Sequence, residues 1–265
     1  MKSVSFAFMR SPYLPIAIEA VKAAEPVIME HYQAGLEVAI KEDRTPVTVA
    51  DQQAEEIIKQ TILNSFPDHT FYGEEGEKVD LDNHEGFTWI IDPIDGTKGY
   101  IRGIPLFGTQ LALLHDGELT VGVSNMPVLG ELMYAAKDEG AFLNDTPVSV
   151  SATDGIGQAY LNSGRLKYFE EIDKITQLLD ISRQVEWSRT IGDCWGYHLI
   201  AQGKADIMLE GEINFWDVAA AKVIVEAAGG MMTQLDGQPL SHKSTTSLAT
   251  NGMLHSRTVT AMQNS

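Results

Sequence analysis

Apolar positions recur at helical spacing over residues 15–32 and again over residues 50–66, where Ala54, Ile57, Ile58 and Ile62 share one face. Pro15 suits a first helical turn and Gly35 stands just past the end of the earlier helix; Pro67 follows the later one. Residues 35–41 predict a short strand, and residues 70–72 predict another that runs into Gly73-Glu74-Glu75. The apolar, aromatic run 87–91 predicts a buried strand that is expected to stop at Asp92-Pro93, because Pro93 fixes φ and has no N–H for a ladder. Residues 107–114, 119–125 and 131–136 alternate as successive strands, with Asp116-Gly117 as a turn between two of them.

Beyond Ser151 strand and helix patterns alternate: strand 159–162, helix 168–179, strand 184–187, helix 194–202, strand 206–209, helix 217–228. The first half therefore predicts helices with a largely antiparallel sheet, and the second predicts α/β structure. A boundary near residue 150 divides the chain into 1–150 and 151–265. No Gly/Ser- or Pro-rich linker marks it, so the halves are expected to pack closely.

Composition narrows the function. With 44% hydrophobic and 21% charged residues over 265 positions, the chain holds enough apolar material for a sizeable core and is not a disordered polymer. Lys and Arg number 19 against 37 Asp and Glu, a formal net charge of -18. Such a field disfavours nucleic acid and anionic membrane surfaces as partners, and an anionic substrate would need bound cations as a local correction. Cys194, the one cysteine, excludes internal disulfides and Cys-based zinc clusters and fits a reducing compartment. No run reaches the roughly 18 apolar residues that span a bilayer. Arg10 and Pro12 interrupt the opening apolar stretch before a signal peptide forms, so a cytoplasmic location is expected.

Three acidic clusters fall at the ends of predicted elements: Glu74-Glu75 after a strand, Asp92-Pro93-Ile94-Asp95-Gly96-Thr97 after a strand, and Trp216-Asp217 at a helix start. Singly, each has an ordinary reading as a solvated loop, a turn or a helix-capping acid. The second is harder to dismiss, because a buried strand drives directly into two carboxylates. Carboxylates at that separation, with a carbonyl between them, can converge on one hard cation; oxygen donors without His or Cys suit Mg²⁺ or Mn²⁺ better than zinc. Gly96 permits close backbone approach, and the amides of Gly96 and Thr97 open a helix whose start can receive a phosphate. The seven histidines are scattered and form no H-E-x-x-H pair. Cys194 reads as a small packed residue rather than a nucleophile, and Trp187, Trp195 and Trp216 as core or cleft wall. Lys98 and Arg102, beside the phosphate loop, are candidates for substrate contact.

The run Trp89-Ile90-Ile91-Asp92-Pro93-Ile94-Asp95-Gly96-Thr97 resembles the signature of the inositol monophosphatase family of metal-dependent phosphatases. Gly73-Glu74-Glu75 resembles that family's upstream block. Trp216-Asp217-Val218-Ala219-Ala220-Ala221, with Glu226-Ala227-Ala228-Gly229-Gly230, resembles its downstream block. The resemblance covers nearly the whole chain. It implies a layered αβαβα sugar-phosphatase fold, a homodimer, and a small-molecule phosphate monoester as substrate. Glu74, Asp92 and the Ile94 carbonyl would hold a first Mg²⁺, and Asp92, Asp95 and Asp217 a second. A third, weaker ion would sit near Glu74, and Mn²⁺ is a possible substitute. Asp51 matches the family acid that pairs with the signature Thr97, giving Asp51, Thr97 and Glu74 catalytic roles around the attacking water.

Within the family, Thr97-Lys98-Gly99-Tyr100, Phe107-Gly108-Thr109-Gln110 and Arg189-Thr190-Ile191-Gly192-Asp193-Cys194-Trp195-Gly196-Tyr197 resemble the histidinol-phosphatase subgroup. Glu210, in contrast, matches the acid that inositol monophosphatases set against ring hydroxyls. The candidate substrate contacts are Asp95, Gly96, Thr97, Arg189, Asp193, Glu210 and Asp217. Inositol 1-phosphate and an adenosine 3′,5′-bisphosphate remain alternative substrates. A phospho-aspartate phosphatase is disfavoured because Asp92 and Asp95 lie three apart with Pro93 between them. A metal-binding scaffold without turnover is disfavoured because Thr97 and Asp51 are both present.

Overall fold

The computed structural model describes residues 10–34, 38–40, 46–76, 79–82 and 85–263. The opening stretch 1–9, most of the strand expected at 35–41 and the loop residues between 76 and 87 that are missing from those ranges lie outside the described residues.

The chain begins with α1 (Leu14–Ala34) and a small antiparallel pair, β1 (Val38–Ile40) and β2 (Pro46–Thr48), followed by α2 (Val49–Ser65). A seven-stranded sheet follows in simple chain order: β3 (Thr70–Gly73), β4 (Phe87–Asp95), β5 (Gly108–His115), β6 (Glu118–Met126), β7 (Glu131–Ala136), β8 (Gly140–Leu143) and β9 (Thr146–Val148). The one-turn helix α3 (Thr97–Tyr100) sits between β4 and β5. Only β3 and β4 pair in parallel in this sheet; the rest is an antiparallel meander.

The second half builds β10 (Tyr160–Ser163), α4 (Leu166–Glu171), α5 (Ile175–Gln184), β11 (Trp187–Arg189), α6 (Asp193–Ala201), β12 (Ile207–Glu210), α7 (Phe215–Ala227), β13 (Met231–Thr233), β14 (Ser247–Thr250) and α8 (His255–Gln263). Its five strands order as β11-β10-β12-β14-β13, parallel around β10 and antiparallel around β14.

Strand alternation sets the layering. In the first sheet Trp89, Ile91, Leu111, Leu113, Val121 and Val123 face α1 and α2, burying Ala17, Val21, Ala24, Ala54, Ile58 and Ile62. The opposite face carries Ile90, Ala112, Met133 and Ala135 and meets α6 and α7. Those helices also cover Met208, Met232 and Ala249 of the second sheet, whose other face packs through Leu161, Ile207, Leu209 and Leu248 on α5 and α8. The result is five alternating layers, αβαβα. Helix α7 is the middle of the stack, and accordingly it is apolar nearly all round, with nine of its residues buried.

The structure departs from the expected elements in identifiable ways. Pro93 does not end β4: the strand pairs Asp92 with Gln110 and resumes with Asp95 opposite Gly108, leaving a bulge between them. Thr109 Oγ1 donates to the Pro93 carbonyl at 2.8 Å and the Ile94 amide to Asp92 Oδ1 at 3.0 Å, so the residues outside the ladder keep partners. The helix expected at 168–179 is two helices, broken where Asp173 turns left-handed at φ 56°. The strand expected at 184–187 lies later, at Trp187–Arg189, on the sheet edge.

Candidate active site

Five chain segments end at one cavity of about 490 Å³. β3 delivers Glu74, whose amide donates to the Ile91 carbonyl at 3.1 Å and so extends the parallel pairing by one residue. The β4 bulge delivers Asp92, Ile94 and Asp95, and α3 follows with Gly96, Thr97 and Lys98. Gly164-Arg165 follow β10 directly, the start of α6 adds Gly192 and Asp193, and the stretch from the end of β12 into the first turn of α7 brings Glu210 and Asp217.

Local bonding fixes most of these carboxylates. Asp95 Oδ2 accepts the Cys194 amide at 2.6 Å, so the start of α6 holds a β4 acid in place. Asp217 forms a capping box with Asn214, accepting its amide on Oδ2 at 2.6 Å. The Asp193 amide donates to Glu210 Oε1 at 3.1 Å, with Asp193 itself left-handed at φ 61°. Thr97 Oγ1 donates to the Ile94 carbonyl at 2.9 Å. Gly164 is glycine for a steric reason: a Cβ there would overlap the Glu210 carboxyl group.

The electrostatics of this floor are dominated by buried, mutually repelling carboxylates. Burial raises the Asp92 carboxyl well above the usual range, and the charges of Glu74, Asp95, Asp217 and Asp51 push it further. Asp95 is raised by burial and then by Asp193 and Asp217, against the opposing Cys194 hydrogen bonds. Asp217 is pushed up to about 7, first by burial. Glu210 is raised by burial and by Asp193; Asp193, crowded by the cavity walls, is raised as well, with Lys98 opposing. Burial also lifts the Cys194 thiol, so it is inert as a nucleophile.

Among the described residues, no trio of acidic, His or Cys groups stands as a ready-made metal cage. The fit to a cation therefore rests on donor chemistry: the cavity lining offers carboxylates and carbonyls with no His or Cys, the donor set of a hard divalent ion. Their raised pKa values are the signature of a site where a cation would be favourable.

Of the residues singled out in the sequence, Glu74, Asp92, Ile94, Asp95, Gly96, Thr97, Asp193, Glu210 and Asp217 line the cavity together. Asp51 does not line it; it is 1% exposed on α2 and close enough for its charge to act on Asp92 and Tyr100. Arg189 is not brought there. It lies on the exposed edge strand β11, its guanidinium 5.3 Å from the centre of the Trp187 ring, and Trp187, expected as core or cleft wall, is 53% exposed. Arg102 also stands away from the lining, donating to the Lys98 carbonyl at 2.8 Å. Arg165 and Tyr168 are cavity residues that pattern reading missed. The Tyr168 hydroxyl accepts from Lys98 Nζ at 3.3 Å and from Arg165 at 3.4 Å, which groups the two cations of the lining at one phenol. The available signal was their place directly after a strand that ends in Ser163-Gly164, the same placement that marked Asp92.

A layered αβαβα frame, with carboxylates from both sheets facing a polar cavity that also carries two cations and a helix start, defines a phosphoric monoester hydrolase. The particular family follows from comparison. The chain matches the Inositol monophosphatase family over residues 9–265 and belongs to it. It is 36% identical to a histidinol-phosphatase of Streptomyces coelicolor over 252 residues, 91% of this chain and 93% of that one. It is 38% identical to a histidinol-phosphatase of Chlorobaculum parvum over 221 residues, 83% of this chain and 85% of that one. Among solved structures it superposes on an inositol monophosphatase from Anabaena with a TM-score of 0.82 at 31% identity, covering 94% of each chain.

Proposed function

We propose that this chain hydrolyses histidinol phosphate with Mg²⁺ as its cofactor. The observation that carries the substrate class is the acidic pair Asp193–Glu210, bonded through the Asp193 amide and facing the same cavity as Glu74, Asp92, Asp95 and Asp217. Histidinol phosphate carries an ammonium and an imidazole beside its phosphate, and a second pair of carboxylates in the same cavity answers both. A cationic group bound there would also offset the burial that raises both acids, and the Asp193 charge that adds to it at Glu210.

Glu74, Asp92, the Ile94 carbonyl, Asp95 and Asp217 would hold two or three Mg²⁺ ions, or Mn²⁺ in substitution, which supply the positive charge a phosphate dianion needs. The phosphate lies against Gly96, Thr97 and Lys98, where the first amides of α3 have no acceptor within the helix. Thr97, paired with Asp51 behind the cavity wall, orients the attacking water and takes its proton, while the alcohol departs on the opposite side. Water and the ester give the free alcohol and inorganic phosphate.

Inositol 1-phosphate is the second reading, favoured by Glu210 and by the Anabaena relative. It is all hydroxyls beside its phosphate and gains less from a second acid. A charge-assisted hydrogen bond contributes roughly 1.5–3 kcal/mol, enough to separate the substrates by more than about tenfold. The test is kcat/KM on histidinol phosphate, inositol 1-phosphate and adenosine 3′,5′-bisphosphate, with and without a chelator. Histidinol phosphate is expected to lead, and Asp193→Asn to erode that lead while sparing a small neutral-alcohol phosphate. A lead for inositol 1-phosphate, or full activity in chelator, would overturn the proposal.

A further inference from the structure

Helix α2 turns two acids, Asp51 and Glu55, toward the interior, and Glu55 has no place in the chemistry above. Its side chain is 3% exposed. Glu55 Oε1 lies 2.5 Å from Lys59 Nζ one turn along, and Oε2 accepts the backbone amide of Glu75 at 3.0 Å. Lys59 in turn sits 5.8 Å from the centre of the Phe71 ring on β3. The ion pair thus reaches from α2 to the strand and loop that carry Glu74.

The two glycines that bracket Glu74-Glu75 are shaped by the same pair. A Cβ on Gly73 would stand 2.6 Å from Glu55 Oε2 and 2.7 Å from its carboxyl carbon. A Cβ on Gly76 would stand 2.5 Å from Glu55 Oε1 and closer still to Lys59 Nζ. The loop lies directly on the ion pair, and glycine at both ends is what lets it do so. Lys59 also balances the Glu55 charge, so this acid is tied to a fixed partner one turn along the same helix.

We propose that buried Glu55 and half-buried Lys59 form a clamp that positions Glu74 and thereby sets the affinity of the cavity for divalent cations. The clamp acts through Glu74, and so it rests on the reading of Glu74 as a metal ligand. Glu55 is a positioning residue; it touches neither cation nor substrate.

The probe is Mn²⁺, whose binding to the substrate-free protein is read directly by calorimetry or by loss of the free-ion electron spin resonance signal. Glu55→Ala is expected to weaken Mn²⁺ binding by about tenfold or more, and Glu55→Gln, which keeps the acceptor for the Glu75 amide, to recover part of the loss. Gly76→Ala should reproduce the weakening with Glu55 intact, and it decides the matter if Glu55→Ala does not fold. In kinetics, the half-saturating Mn²⁺ concentration should rise more than kcat falls, whereas a general loss of structure lowers kcat at every concentration. Glu74→Gln separates the two layers of the argument. If it leaves Mn²⁺ affinity unchanged, the ligand reading fails and the clamp with it. If Glu74→Gln weakens binding, Glu55→Ala added to it should cost nothing further, because the two act through one group. Additive losses, or unchanged Mn²⁺ affinity in whichever of Glu55→Ala and Gly76→Ala fold, would overturn the clamp alone.

Discussion

Gly96 shows how much the site demands of single residues. It is left-handed at φ 86°, and a Cβ there would stand 2.9 Å from the Leu106 carbonyl oxygen and 3.4 Å from Asp193 Oδ2. Left-handed backbone costs a residue with a Cβ about 1–2 kcal/mol before any contact is counted. Gly96→Ala should therefore lower Tm by several degrees in calorimetry and lower kcat/KM by a larger factor, because α3 and its amides shift with it. A variant matching wild type in both would show that the turn is not strained. The acids at this scale were legible because three clusters at element ends form a motif. Tyr168 and Glu55 were not, since their telling contacts are with partners distant in sequence: Lys98 for the first, the Glu75 amide for the second; Arg165 joins the site through Tyr168. Arg189 was misplaced for the converse reason. It adjoins the Gly192-Asp193-Cys194 block in sequence, but the edge strand turns it onto Trp187.

Long strands with clear alternation, such as β5, β6 and β7, were legible to within a residue or so. β8, β9 and β13 are three or four residues long and partly exposed, so no period could mark them. Pro93 misled because a proline ends a flat ladder but fits a bulge. Among elements, the contact between β6 and α7 is the most exacting. A Cβ on Gly122 would come 2.5 Å from the Ala220 carbonyl oxygen and 2.9 Å from Val223 Cβ. Gly122→Ala should push α7 off the sheet at a cost of about 1–3 kcal/mol and move Asp217 with it, lowering both Tm and kcat/KM. Gly117→Ala is the control. It has φ 81° with nothing within 4 Å of the new Cβ, so Tm should fall while kcat/KM holds. Equal effects of the two on kcat/KM would argue against α7 as the element that places Asp217.

Over the whole molecule, a net charge of -18 surrounds a cavity floor where carboxylates already repel one another. The five-layer stack was expected from the motif resemblance, whereas the burial that raises these acids emerges only when both sheets close on α7. The pH consequence has a definite sign. Asp217 titrates near 7 in the fold against 3.8 for an ordinary aspartate, so the folded state binds its proton more tightly than the unfolded chain does. The stabilisation is present at low pH and is lost as pH rises through about 7. Chelator-treated protein should melt at a lower temperature at pH 7.5 than at pH 5.5, and Mg²⁺ added at pH 7.5 should raise Tm. Asp217→Asn should flatten the pH slope. A melting temperature that climbs over this interval in chelator would contradict the assignment.

Helix α7 is packed on both sides, while Gly164-Arg165, Tyr168 and the Thr190–Asp193 segment reach the same cavity from loops and helix starts nearer the surface. Changes in α7 must satisfy two sheets at once; changes in those segments answer mainly to the ligand. The architecture therefore separates what can drift from what cannot. A lineage exploring new alcohols could rewrite the rim of the cavity step by step, with the hydrolytic chemistry carried unchanged beneath it.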